Sequence, residues 1–186
     1  MKFSSIISAL APALAPASPE LDAITDVLRQ VQGRVDNLCA VIKENGPAIA
    51  PLVEAFHLIA STVTSGIETI SALDKLSFTS SLLLGGPVSE LKDQAQLLSD
   101  SLLEVKPQID AQGDTGIIGK QAAGARQAAQ SLIEIVVEKV SSKAQGQARQ
   151  EAEGIVEILS RLEASFSSDQ LAAKLGDTGK GETAPE

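Results

Sequence analysis

The sequence predicts an all-α protein, an antiparallel bundle of about five amphipathic helices. A period of about 3.6 residues places apolar side chains spaced by three and four on one helix face. The first such stripe consists of Leu21, Ile24, Leu28, Val31, Val35, Leu38 and Ile42. Similar stripes recur along the chain, separated by Gly and Pro, and no useful strand-like alternation interrupts them.

The first helical segment has clear boundary signals. Ser18 is suited to the N-cap and Pro19 to the first helical position. The segment runs to about Glu44, where Asn45-Gly46-Pro47 ends it.

The second segment runs from about Pro47 to Leu76, with Pro51 in its first turn, where a missing N–H costs little. Its stripe comprises Ile49, Leu52, Phe56, Ile59, Val63, Ile67, Ile70 and Leu73. A short apolar turn over Phe78–Leu84 follows, and Gly85-Gly86-Pro87 breaks the chain.

The third segment spans about Pro87 to Val105. Lys106-Pro107 is expected to end it, because the residue before proline is pushed out of helical space. Its stripe comprises Val88, Leu91, Ala95, Leu98 and Leu102. Asp114 or Thr115 then caps the next helix.

The fourth segment, about Gly116 to Val140, changes character along its length. Its start is small, with Ala122, Ala123, Gly124, Ala125, Ala128 and Ala129. Its end is bulky, with Leu132, Ile133, Ile135, Val136, Val137 and Val140. Small residues either let a neighbouring helix approach closely or leave room for a bound guest, whereas bulky residues fill a core.

The fifth segment runs from about Ala144 to Leu162 or beyond. Its stripe comprises Ala148, Ala152, Ile155, Leu159, Leu162 and Phe166. Ser167-Ser168-Asp169 is expected to interrupt it before a final turn over Leu171–Leu175.

Residues 1–17 have the pattern of a secretory signal peptide. Lys2 supplies the positive start and Phe3–Leu14 a short apolar stretch, and small residues precede a cleavage site after Ala17. A disordered N-terminal arm is the alternative. We therefore expect a helical-bundle domain over residues 18–175, a disordered tail over 176–186, and a secreted, extracellular or cell-wall product.

Composition argues against several classes of function. The chain of 186 residues has a formal net charge of −9, is 44% hydrophobic and only 2% aromatic. Nucleic-acid binding needs clustered Lys and Arg, and base stacking needs aromatic rings. No segment is long and apolar enough to predict a transmembrane helix.

Few residues are suited to catalysis or metal binding. His57 and Cys39 are the only residues of their types, so no His–Cys cluster can hold a metal. A Cys39–His57 nucleophilic pair lacks an activating context, and burial beside Leu38 is the simpler interpretation of Cys39. We expect neither an enzyme nor a cofactor.

The stretch GPVSELKDQAQLLSDSLLEVKPQIDAQG, from Gly86 to Gly113, resembles the central helix of the fungal hydrophobic surface binding protein A family. SRLEASFSS, from Ser160 to Ser168, is similar to the closing helix of that family, which includes cell-wall galactomannoproteins. The resemblance implies a non-enzymatic extracellular protein that binds hydrophobic surfaces, recruits secreted hydrolases to them or holds fatty acids in a five-helix bundle.

We therefore expect a fatty acid, another apolar ligand or a hydrophobic polymer surface as the partner. Burying an acyl chain of about sixteen carbons would gain on the order of 12 kcal/mol before the losses of binding. The expected ligand-lining residues, taken from the middle of each stripe, are Val31, Val35, Phe56, Ile59, Val63, Leu98, Leu102, Leu132, Val136, Leu159 and Phe166. The alternative is a secreted interaction or effector protein that binds a protein partner and uses every stripe as core.

Overall fold

The computed structural model describes residues 18–176, and residues 168–176 by their backbone alone. Over this range the chain forms five long helices, one short helix and no strand. They are α1 (Pro19–Asn45), α2 (Ile49–Ser71), α3 (Phe78–Leu83), α4 (Gly85–Gln112), α5 (Thr115–Lys139) and α6 (Gln145–Gly176). The all-α prediction is confirmed. The expected signal peptide lies outside the described residues, as does the expected tail after Gly176.

Helix α1 has the predicted boundaries to within one residue. The Ser18 side chain accepts a hydrogen bond from the Leu21 N–H, at 3.3 Å, and Pro19 opens the helix. All seven stripe residues are buried. Gly46 ends the helix with a φ of 56°, a conformation that residues with a Cβ rarely adopt.

Helix α2 ends at Ser71, before the predicted Leu76, because the following residues pair with the end of α5. The Leu76 N–H donates to the Lys139 carbonyl at 2.7 Å. Lys139 Nζ donates in turn to the carbonyls of Ser71 and Leu73, at 2.8 and 2.6 Å. These bonds satisfy backbone groups that a longer helix would have used.

The prediction that Lys106-Pro107 ends the third segment is wrong, since α4 continues to Gln112. Pro107 is exposed, and so is Leu103 one turn earlier, so water can reach the Leu103 carbonyl that proline leaves without a helical donor. On the opposite face Ile109 is fully buried. Tertiary packing of this last turn therefore outweighs the local preference of proline.

The predicted interruption at Ser167-Ser168-Asp169 is also wrong, because the backbone of α6 stays helical to Gly176. Ser and Asp are only mildly unfavourable inside a helix, and this stretch contains no proline. Phe166 is fully buried just before it and anchors the preceding turn.

The long helices pack as a closed ring in the order α2, α1, α4, α6, α5 and back to α2. Successive long helices run in opposite directions, yet neighbours in the ring include parallel pairs. Gln32 Nε2 on α1 donates to the Pro87 carbonyl on α4, and Gln94 on α4 donates to Asp36, so these two helices run together. A ring of five leaves a central space that all five faces must fill.

Among the described residues, no helix is both long and apolar enough to cross a membrane. The buried stripes of the long helices pack together in one hydrophobic core.

Candidate functional site

The ring encloses a cavity of about 100 Å³ in the half that holds the start of α4 and of α6. That volume has room for roughly seven to ten groups the size of a water molecule or a methylene. All five long helices contribute aliphatic side chains to its wall. They include Leu28, Val31 and Val35 of α1, Ile59 and Val63 of α2, Leu91 and Leu98 of α4, Leu132 and Val136 of α5, and Ile155 and Leu159 of α6.

Small residues create the space. Ala125 and Ala129 of α5 lie on the wall, as do Ala148 and Ala152 of α6. Each of these side chains ends at its Cβ, so α5 and α6 have no side-chain atoms at these positions that could fill the space between them. The small residues of the fourth segment therefore have both of the expected roles. Ala125 and Ala129 leave room in the cavity. Ala122 on the same helix is fully buried, so a neighbouring helix can approach closely there.

The mouth of the cavity lies where α3, the start of α4 and the start of α6 meet. Leu82 lines the cavity and is nevertheless 47% exposed, so its side chain joins the interior to the outer surface. Ser81, Gln147 and Glu151 are the polar side chains on the wall. Gln147 Nε2 donates to Glu151 Oε1 at 3.0 Å, which ties these two side chains together.

Helix α3 is held over this mouth by serine hydroxyls. Ser77 Oγ caps the helix by accepting from the Ser80 N–H at 3.1 Å. Ser81 Oγ donates to the Ser77 carbonyl at 2.7 Å and accepts from the Ser141 N–H at 3.0 Å. The short helix is thereby fastened to the connection between α5 and α6.

The structure brings eight of the eleven predicted lining residues to the cavity wall. They are Val31, Val35, Ile59, Val63, Leu98, Leu132, Val136 and Leu159. The other three, Phe56, Leu102 and Phe166, are buried in the core and do not line the cavity. Leu102 follows Leu98 by one turn of α4, and Phe56 precedes Ile59 by about one turn of α2, so each is displaced along its helix axis.

Phe166 lies at the far end of the bundle. A Cβ on Gly119 would lie 3.3 Å from its carbonyl oxygen, and Lys106 Nζ lies 5.7 Å from the centre of its ring. Phe166 is fully buried there, so this end of the bundle is packed with core side chains. The stripe pattern correctly predicts that Phe166 lies on the inward face of α6, but it contains no information about position along the bundle axis.

Sequence reasoning missed the contribution of α3 and of the polar mouth. The stretch Phe78–Leu84 is too short to show a helical period, so nothing in it indicated a wall element. A signal did exist on α6, where Ala144, Ala148 and Ala152 recur every fourth residue. Such spacing lines one helix face with small residues.

Neither His57 nor Cys39 lies on the cavity wall. His57 is exposed and Cys39 is half-buried. Burial raises the pKa of the Cys39 thiol above its ordinary value, and the carboxylate of Asp36 raises that pKa further. Within the described part of the chain, no three His, Cys, Asp or Glu side chains are grouped so that they could hold a metal ion.

The fold and the cavity define a class of protein, a closed helical bundle with an apolar internal binding space. The family profile described as hydrophobic surface binding protein A matches residues 21–138. The chain belongs to that family.

Two fungal proteins called cell wall mannoprotein 1 are similar in sequence. That of Aspergillus fumigatus is 25% identical over 87% of this chain, and that of Aspergillus flavus is 26% identical over 75%. The matched regions make up 58% and 53% of those two proteins, so the chain spans little more than half of their length.

Solved structures share the fold. Ligand binding domain 2 of the Penicillium marneffei MP1 protein, complexed with multiple arachidonic acids, superposes with a TM-score of 0.75 at 23% identity, covering 79% of this chain and 96% of that domain. AFMP4P in complex with palmitic acid gives a TM-score of 0.72 at 16% identity, covering 79% of this chain and 99% of that one.

Proposed function

We propose that this protein binds a lipid with a long aliphatic chain, of the fatty-acid type, inside the ring of helices. The observation that carries the proposal is the aliphatic cavity bounded by all five long helices. The complexes of the similar folds with arachidonic and palmitic acids support it. Eight of the lining residues were already expected from the stripes, and we propose that they contact the ligand chain.

The size of the cavity sets the expected affinity. Seven to ten enclosed methylenes contribute about 6–8 kcal/mol, at roughly 0.8 kcal/mol each. Loss of translational and conformational freedom offsets at least about 4 kcal/mol of this. A chain of about sixteen carbons extends beyond the enclosed space, and its outer part lies against Leu82 and α3 at the mouth.

A cavity-filling variant tests the proposal. Ala129→Phe places a ring in the space, and we expect it to weaken binding of a fluorescent fatty acid by about tenfold or more while the protein stays folded. Ala40→Phe is the matched control, because Ala40 is exposed on α1 and its variant adds the same ring outside the cavity. An absence of saturable binding to the unmodified protein would refute the proposal, as would equal binding by the two variants.

We also propose adsorption to hydrophobic surfaces, because α3 presents three large apolar side chains to solvent. Phe78, Leu82 and Leu83 are 49%, 47% and 52% exposed. Replacing Phe78 and Leu83 by Ser should reduce adsorption to hydrophobic beads, whereas Ala129→Phe should leave adsorption unchanged. Adsorption that is equal in all three proteins would contradict a role for α3.

Recruitment of a secreted hydrolase to such a surface is a further proposal, which the resemblance to the family suggests. Pull-down of a secreted polyester hydrolase by bead-bound protein would support it. Loss of that pull-down in the Phe78/Leu83 double variant would show that the hydrolase binds this protein only when the protein is adsorbed to the bead surface.

We propose a non-enzymatic role and a cell-wall or extracellular location. Membership of the family and similarity to cell wall mannoproteins support both. We further propose that residues 1–17 are removed on secretion and that 18–175 is the binding domain. N-terminal sequencing of protein recovered from culture medium or wall should begin at Ser18, and an intact Met1 on that recovered protein would contradict this.

A further inference from the structure

We propose that the cavity favours a lipid whose head is an uncharged hydroxyl over one whose head is a carboxylate ion. This inference rests on the proposed function, because it concerns the ligand of the same cavity. The observation behind it is the charge on the wall. Glu151 is the one ionisable side chain among the described residues that line the cavity, and it lies at the mouth.

Glu151 has neighbours on two sides. Its Oε1 accepts a hydrogen bond from Gln147 Nε2 at 3.0 Å. Its Oε2 faces the start of α4, where a Cβ on Gly85 would lie 3.3 Å away. The carboxylate of Glu151 therefore lies beside the start of α4, where a ligand head would emerge.

The head group of a chain that fills the cavity must lie near this carboxylate. The closed end of the bundle is occupied by buried core side chains, so the chain enters with its methyl end first and its head remains at the mouth. A second carboxylate there is repelled by Glu151, and because Glu151 is half-buried this repulsion is screened less than in open water. A hydroxyl instead donates a hydrogen bond to Glu151.

The cations and hydroxyls near the mouth do not reverse this preference. Lys92 lies against Gly154, one turn further along α6, and does not line the cavity. Lys139 donates to the carbonyls of Ser71 and Leu73. Ser141 Oγ is buried without a hydrogen-bond partner and supplies a donor but no charge.

Competition between 1-decanol and decanoate at neutral pH, against an uncharged apolar dye, tests the inference. Loss of water from the carboxylate disfavours decanoate in every variant, so the informative quantity is the change in the alcohol-to-acid affinity ratio. Glu151→Gln keeps the size and polarity of the side chain and removes its charge. We expect it to tighten decanoate by about tenfold and leave decanol within about threefold. Glu151→Lys should favour decanoate further.

Lys92→Gln is the control and should leave the ratio unchanged. Saturable binding of both ligands with a ratio that Glu151→Gln does not alter would overturn this inference and leave lipid binding intact. Weaker decanoate binding in Lys92→Gln would overturn the inference as well, because it would show that Lys92 binds the carboxylate of decanoate. Failure of both ligands to bind would overturn the proposed function itself.

Discussion

Gly66 of α2 lies directly against Val27 of α1, so closely that a Cβ on Gly66 would overlap Val27 Cγ1. Both residues are buried. Val27 is branched at Cβ and held within its helix, so it has little freedom to move aside. The α1–α2 contact therefore depends on the absence of a side chain at residue 66.

Gly66→Ala should destabilise the protein by about 1–3 kcal/mol, because the new methyl forces α1 and α2 apart in a packed interior. Gly33→Ala is the matched control, since Gly33 is exposed within α1 and a Cβ there meets nothing within 4 Å. It should stabilise the protein by about 0.5–1 kcal/mol through helix propensity. Urea unfolding followed by circular dichroism measures both, and a Gly66→Ala variant as stable as the unmodified protein would contradict the close contact.

Pro107→Ala should stabilise the protein by about 1–2 kcal/mol. Alanine restores an N–H that can donate to the Leu103 carbonyl, and the greater freedom of the unfolded chain offsets part of the gain. Because Pro107 is exposed, no core contact is lost. A lower unfolding midpoint in this variant would show that the ring of Pro107 has a structural role that its exposure does not suggest.

The fold was predictable because most of its determinants are local. The stripe from Leu21 to Ile42, the cap at Ser18 and the turn at Gly46 each act within a few residues, and all three predictions are confirmed. The errors arose where tertiary contacts override local preference. Helix α4 passes through Pro107 because Ile109 is buried beyond it, and α2 stops at Ser71 because the next residues bind α5.

The sequence predicts which helix faces line the cavity, but not where along the bundle axis the cavity lies. A helical stripe identifies which face turns inward, and so Val31 and Val136 were placed on the wall. Position along the bundle axis depends on how helices are staggered, which the period of one helix does not contain. For this reason Leu102 and Phe166 were expected on the cavity wall, although both are buried in the core away from it.

Cys39 should react slowly with thiol reagents in the folded protein. Burial raises its pKa, and the carboxylate of Asp36 raises it further, so less of the nucleophilic thiolate is present at a given pH. Asp36→Asn removes the second cause and should shift the pH profile of iodoacetamide labelling toward lower pH. The urea-unfolded protein, in which burial is lost, should label faster than either folded form. A folded profile at lower pH than the unfolded one would contradict this assignment.

Affinity for saturated fatty acids should rise with chain length in two regimes. While each added methylene enters the enclosed space, binding should tighten by about fourfold, which corresponds to about 0.8 kcal/mol. The cavity of about 100 Å³ holds roughly seven to ten such groups, so beyond about ten carbons the increments should become smaller. Titration of the series from six to sixteen carbons, below the concentrations at which micelles form, measures the break. Ala129→Phe should move the break to shorter chains, since its ring occupies part of the same space. A constant increment to sixteen carbons would instead show that α3 opens and the bundle widens around the ligand.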